Sequence, residues 1–191
     1  EPFERTPPAR CLIVRTQDDP DHNIWISGGD LSEISTFENQ SEKAKEFANI
    51  FQTICSTLET FPLPVVMAMT GQALGGGAEF ALAGDLRFAT KEATLDFRQL
   101  KIGLPTGFGG CLRLQNLIGN SNTANILLRC LALDSAQAYK LGLFHELVAD
   151  RYALDQIIEG FYAHLKDLDP YVVYTQKKMI LNARRKNFEI G

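Results

Sequence analysis

A single α/β domain with a helical C-terminal part is the fold class that this 191-residue sequence predicts. Three observations predict it. Short β-favouring apolar runs alternate with segments of helical period as far as residue 148. From residue 151 onward only helical periods remain. No internal repeat and no linker divides the chain, so the expectation is one domain over residues 1–191, with its core over 11–148 and its helical part over 151–188.

Residues 1–10 hold three prolines and no periodicity, which marks an irregular entry. Residues 11–15 are a buried-strand candidate, and after a turn-rich loop at 17–21 Ile24-Trp25-Ile26 is a second. Over 41–61, Phe47, Ile50, Phe51, Ile54, Leu58 and Phe61 recur at helical spacing on one face. Pro62 and Pro64 stop that helix. Residues 65–69 follow as a buried strand, 78–83 as a short helix and 86–90 as another strand. A glycine-rich loop over 103–110 then precedes a run of short helices. Asp134-Ser135 caps a helix over 136–141 that Gly142 ends. Residues 151–166 place Leu154, Ile157, Ile158, Phe161, Tyr162 and Leu165 on one face. Asp169-Pro170 opens a last helix on which Val172, Gln176, Met179, Ile180 and Ala183 share a face.

Composition narrows the function classes. With 45% hydrophobic and 22% charged residues the chain is neither collagen-like, low-complexity nor disordered. A net charge of −4 argues against a nucleic-acid partner. The longest apolar run, 65–69, has strand length, so no membrane partner is expected. Cys11, Cys55, Cys111 and Cys130 show no metal-ligand spacing and are expected to be reduced, mostly buried thiols of a cytoplasmic protein, with no metal site. The opening Glu1-Pro2-Phe3-Glu4 is no signal peptide, and a chain that starts at Glu1 is expected to be a piece of something longer.

Gly75-Gly76-Gly77, between a strand and a helix, has two readings. It lacks the lysine and hydroxyl of a phosphate-binding loop, so it is either a tight packing turn or an oxyanion site of bare amides at a helix start. Ser27-Gly28-Gly29 is a second bare-amide loop, and two such donors could clamp one carbonyl oxygen. Glu79, in the first turn of the helix opened by those glycines, either complements the helix dipole or is a general acid/base beside the clamp. Asp96 and Lys101 read as surface charges, and Trp25 as a packing residue or a wall of an acyl pocket. His145 is read as a surface or hydrogen-bonding histidine. His22 and His164 have no carboxylate or serine at a partner spacing, and Arg184-Arg185-Lys186 reads as a solvated helix end.

Five segments resemble one family. Ile24-Trp25-Ile26-Ser27-Gly28-Gly29-Asp30-Leu31 is similar to the FxAGxDL segment of the crotonase superfamily, the enoyl-CoA hydratase/isomerase family. Residues 61–71 are similar to its PxPVIAAVNG strand, with Thr70 in place of the usual Asn, and residues 73–89 to ALGGGxELALACDLRIA. Residues 103–110 resemble its GLxPGxGG loop and residues 133–143 its AxxxGLV helix, all in family order across 24–148. The resemblance implies a crotonase-like (ClpP/crotonase) spiral of ββα units with C-terminal helices, and the family's N- and C-terminal segments are expected to be missing from this chain.

Carried over by position, the Ser27 and Gly76 amides match the oxyanion-hole donors. Glu79 matches the first catalytic carboxylate, and Gln99 stands where the second is expected. An amide cannot exchange a proton as a carboxylate does, so two-carboxylate hydration is in doubt while enolate stabilisation is not. Gly28, Asp30, Leu31, Gly75, Leu104 and Pro105 fall at substrate-binding positions. The resemblance implies a lyase or isomerase of fatty acid metabolism acting on an acyl-CoA or acyl-carrier-protein thioester as substrate. The resemblance also implies that no cofactor is needed and that the chain assembles as a homotrimer or hexamer, in which Phe161 and Tyr162 or the Val172/Met179 face would meet a partner subunit. The alternatives are an acyl-thioester decarboxylase and a non-catalytic binding protein on the same fold.

Overall fold

The first six strands are dealt alternately to two sheets. In the computed structural model, which describes residues 9–17, 23–36 and 41–186, β1 (Leu12–Arg15), β3 (Val65–Met69), β5 (Leu86–Thr90) and β8 (Glu146–Val148) form one parallel sheet in that order. The second contains β2 (Ile24–Ile26), β4 (Gln72–Leu74), β6 (Thr94–Asp96) and β7 (Ala132–Leu133), parallel except for β7. Each of the first three turns of the chain thus adds one strand to each sheet before a helix closes it, which is the ββα spiral expected, and in the last turn α5 separates β7 from β8. The helices are α1 (Leu31–Ser35), α2 (Ser41–Thr60), α3 (Gly76–Ala81), α4 (Gly110–Leu128), α5 (Ser135–Lys140), α6 (Arg151–Lys166) and α7 (Pro170–Lys186).

β3 is the centre of the core. All five of its residues are buried, because both faces of its sheet are covered. Val65, Met67 and Met69 face the main cluster with Trp25, Leu95 and Leu114, while Val66 and Ala68 pack with Phe88 under α6. A strand covered on two sides loses the apolar–polar alternation, which is why its sequence is a continuous apolar run. Trp25 hydrogen-bonds across the sheets, its Nε1 donating to the Ala68 carbonyl at 2.8 Å. α7 is tied down where β3 begins: Lys177 Nζ lies 2.7 Å from the Asp85 carboxylate, which accepts the Val65 amide.

Several expectations change. β4 and β6, three residues each, were not separable by period from their flanking loops. The expected run of short helices after 110 is α4, broken by Gly119 at φ 75°. α3 begins two residues earlier than expected, at Gly76, because glycines carry its first turn. On α2 the buried side is Phe47, Phe51, Cys55 and Leu58, while Ile50 and Ile54 face outward. Only Cys55 of the four cysteines is buried, and Cys111 is exposed. Phe161 packs edge-on against Phe88, so it is spent inside the chain, whereas Tyr162, Val172 and Met179 are exposed. His22 and the side chains of 184–186 lie outside the described residues. Among the described residues no helix is long and apolar enough to cross a membrane.

Trp25 is the single tryptophan, and its buried indole makes the one side-chain bond to a β3 carbonyl described above. Trp25→Phe leaves the Ala68 carbonyl without that donor and is expected to cost about 1–3 kcal/mol. Urea unfolding followed by circular dichroism measures it, and a loss near zero would show the bond to be dispensable.

Candidate active site

Gly28 sits at φ +85°, a conformation that side chains rarely adopt, and a Cβ there would lie 2.9 Å from the Gly76 nitrogen. The loop after β2 and the loop that opens α3 therefore touch backbone to backbone. Gly77 is equally confined, since its Cβ would fall 2.2 Å from the Ile26 carbonyl oxygen. Gly75, at φ 54°, turns the chain into α3, and its amide donates to the Asp96 carbonyl at 2.8 Å. As the first residue of α3, Gly76 has no intrahelical acceptor for its N–H. The two amide-bearing loops picked out in the sequence are thus brought side by side by tertiary contact, with glycine required at each point of closest approach.

Glu79 lies one turn further along α3 and is 1% exposed. Four donors meet its carboxylate: the Gln99 side-chain amide at 2.8 Å and Gly107 N–H at 3.1 Å on Oε1, Phe108 N–H at 2.8 Å and Gly110 N–H at 2.7 Å on Oε2. Burial pushes the Glu79 carboxyl above its ordinary value, against the pull of those hydrogen bonds toward the charged form. Gly110 is the tightest of the loop positions, because a Cβ there would reach 2.4 Å from Glu79 Cγ. Side chains of α2 and α4 hold the loop from behind. Gln52 donates to the Gly107 carbonyl at 2.7 Å. Arg113 donates to the Phe108 carbonyl while pairing with Glu59 at 2.9 Å. Phe108 itself stacks on Phe51 at 4.4 Å and covers Gly76.

One cavity of about 750 Å³ collects these groups. Ser27, Gly28, Asp30, Gly75, Gly76, Glu79, Gln99, Leu104 and Pro105 all line it, so nine of the ten residues singled out in the sequence converge there. Leu31 opens α1, and its side chain lies outside the described residues. Asp30 caps α1, its Oδ1 accepting Ser32 N–H at 2.8 Å and Oγ at 2.7 Å, and those bonds hold its carboxyl below its ordinary range. The rest of the wall is largely apolar, with Ile34, Phe47, Ala48, Ile102 and Phe108. Trp25 is buried away from it in the core. Chemically, the cavity offers bare amides, a buried carboxylate and an apolar lining.

Sequence reasoning missed two things. The 103–110 loop stood out for its glycines, but nothing local showed that its amides hold Glu79. Asp96, read as a surface charge, is 5% exposed, and Oδ2 accepts Arg98 Nε at 2.9 Å and Nη2 as well. No local period could have placed it, since Asp96 is buried by the pairing of three-residue β6 with Leu74 of β4. Lys101 is exposed, as expected, and His145 is exposed with Nδ1 accepting the Arg87 amide at 3.1 Å.

A family model for enoyl-CoA hydratase/isomerase matches residues 4–188. The chain is 27% identical to an enoyl-CoA hydratase from Bacillus anthracis, with a TM-score of 0.80 over 91% of this chain and 65% of that one. It is 23% identical to a putative enoyl-CoA hydratase from Thermobifida fusca YX in complex with acetoacetyl-CoA, at a TM-score of 0.82 over 92% of this chain and 71% of that one. An enoyl-CoA hydratase/carnithine racemase from Magnetospirillum magneticum is 22% identical at 0.81, over 91% and 64%. The last two share the fold. The chain spans about two thirds of the length of these relatives.

Gly28→Ala forces a Cβ at positive φ against the Gly76 amide, so the loops must separate. The expected cost is about 1–3 kcal/mol of stability. Chemical denaturation measures it, and an unchanged midpoint would show that the contact does not hold the loops together.

Proposed function

The chain belongs to the enoyl-CoA hydratase/isomerase family, and from that premise we propose that it transforms an acyl-thioester through an enolate held in the clamp of Ser27 and Gly76. The observation that carries the reading is the convergence of both amide-bearing loops and the Glu79 carboxylate on one cavity. The thioester oxygen would accept the two N–H groups. Removal of a proton from the α or γ carbon would build charge on that oxygen, where each preorganised donor contributes about 3–4 kcal/mol to lowering the barrier. Because burial raises its pKa, Glu79 is a stronger base than an exposed carboxylate.

Both Glu79 oxygens already accept two hydrogen bonds, so a donor must yield before a proton arrives. Three donors are backbone amides of one loop, and only Gln99 is a side chain that can rotate. Oε1 is therefore the oxygen proposed to take the proton. Gln99 Oε1 is buried without a hydrogen-bond partner among the described residues. Rotation of the amide would present that oxygen to protonated Glu79, so one glutamine can serve both protonation states. With a single carboxylate, double-bond isomerisation fits this site at least as well as hydration. A second reading follows from the saturation of Glu79: decarboxylation needs the clamp as an electron sink and no base. A non-catalytic binder would need neither. Side-by-side assays of crotonyl-, 3-enoyl- and malonyl-type thioesters separate the three.

The Thermobifida fusca relative was crystallised with acetoacetyl-CoA and with CoA, which supports coenzyme A as the carrier, with an acyl-carrier protein as the alternative. No cofactor is needed for the proposed steps. Family membership also underlies the proposal of a cytoplasmic homotrimer or hexamer in fatty acid metabolism, with exposed Tyr162, Val172 and Met179 at the subunit contact. Light scattering of the full chain tests the assembly.

Glu79→Gln is expected to lower turnover at least about 100-fold. It also turns an amide NH₂ toward loop N–H groups, so melting must be measured alongside. Wild-type turnover should rise with pH as Glu79 ionises, with a midpoint above the ordinary carboxyl value of 4.5. Gln99→Leu removes a hydrogen bond to the charged form and should move that midpoint higher. Gln99→Glu sets two carboxylates in contact, so one stays protonated into a higher pH range, and hydratase activity should rise from a low baseline. Full activity in folded Glu79→Gln, or a midpoint indifferent to residue 99, would remove Glu79 as the base.

A further inference from the structure

Among the described residues, four charged side chains line the cavity: Asp30, Lys45, Glu79 and Arg98. Asp30 is engaged as the cap of α1, and Lys45 pairs with Glu42 on the outer part of α2, its side chain 66% exposed. Arg98 is placed differently. Asp96 takes the Nε/Nη2 edge of its guanidinium through a single oxygen, and among the described residues nothing meets the Nη1/Nη2 edge of this side chain, which is 46% exposed. The segment that carries it is tied at both ends to the proposed chemistry. The Asp96 carbonyl accepts the Gly75 amide of the clamp loop, and Gln99, next in sequence, binds Glu79. A guanidinium propped by a buried aspartate, on the wall of a cavity whose remaining lining is largely apolar and two residues from the Asp96 carbonyl that holds the clamp loop, suits a planar anion that it can meet with two parallel N–H groups.

We propose that Arg98 receives a carboxylate on the acyl group itself, so that the preferred substrates are thioesters of dicarboxylic acids. The inference rests on the acyl-thioester reading above and adds the substrate class to it. The carboxylate would lie against the free guanidinium edge, with the thioester oxygen in the clamp and the intervening carbons along the apolar wall. Arg98 acts here in specificity and takes no part in proton transfer.

Calorimetric titration of the full chain tests this with matched pairs of equal acyl length: malonyl- against propionyl-CoA, succinyl- against butyryl-CoA, and glutaryl- against valeryl-CoA, with free CoA beside them. In at least one pair the diacid should bind about tenfold tighter or more. R98Q should bring that ratio to near one, and R98K should keep part of it, because ammonium preserves the charge without the fork. R98Q leaves Asp96 buried without its counter-ion, so D96N/R98Q, which removes both charges, is measured too, and the same collapse is expected. The inference is overturned if no pair favours the diacid, or if the preference survives in both variants. A parallel loss of affinity for free CoA overturns it as well, since the guanidinium then meets the nucleotide phosphates. Failure of every CoA ester to bind the wild type would sink the acyl-thioester reading instead, and this inference with it.

Discussion

The buried Glu79 carboxylate is the constraint around which this molecule is arranged. A charge taken out of water costs several kcal/mol unless it is met by hydrogen bonds, and here three loop amides and one side-chain amide meet it. That demand shapes everything nearby. The 107–110 loop must turn its N–H groups inward, which puts glycine at 109, with φ 86°, and at 110, where a Cβ would meet Glu79. The loop in turn needs its outward carbonyls satisfied, and Gln52 and Arg113 do so from two helices. Arg113 is itself neutralised by Glu59. A single ionisable group thus draws together α2, α3, α4 and the glycine-rich loop that leads into α4.

The same arrangement gives the site its rigidity. Phe108, whose amide holds Glu79, stacks on Phe51 and lies so close over Gly76 that no side chain fits there. The proposed base and the proposed clamp are therefore registered to each other through one aromatic ring. On the other side, the pairing of Leu74 with Asp96 carries the clamp loop and Arg98 on adjacent strands of the second sheet. Preorganisation of this kind keeps donors fixed before charge develops, which is what electrostatic stabilisation of an enolate requires.

Local pattern was enough to locate many parts of this molecule. The heavily apolar 65–69 run identified the central strand, the capping residue Asp134 marked α5, the period of Leu154, Ile157, Phe161 and Leu165 marked α6, and Pro170 opened α7. These features rest on short-range physics: side-chain period, capping and the missing amide of proline. The glycine motifs and Glu79 were visible for a related reason, since bare amides and a carboxylate at a helix start are local facts. What was misread lay where the decision is non-local. Ile50 and Ile54 share the helical period of Phe47 and Phe51, but which edge of the apolar stripe is covered depends on what packs there. Asp96 is polar in any local scale, and only its place inside the second sheet buries it.

By itself, then, the sequence determined the α/β class, the order of the major elements and the residue types available for chemistry, because period, caps and glycine content act over a few residues. Tertiary structure alone decided that the Ser27-Gly28 loop abuts Gly76, that Glu79 receives its amides from residues nearly thirty positions away, and that Arg98 is propped by Asp96 at the cavity wall. Those relations join segments distant along the chain, and their energies arise only when burial removes water from both partners at once.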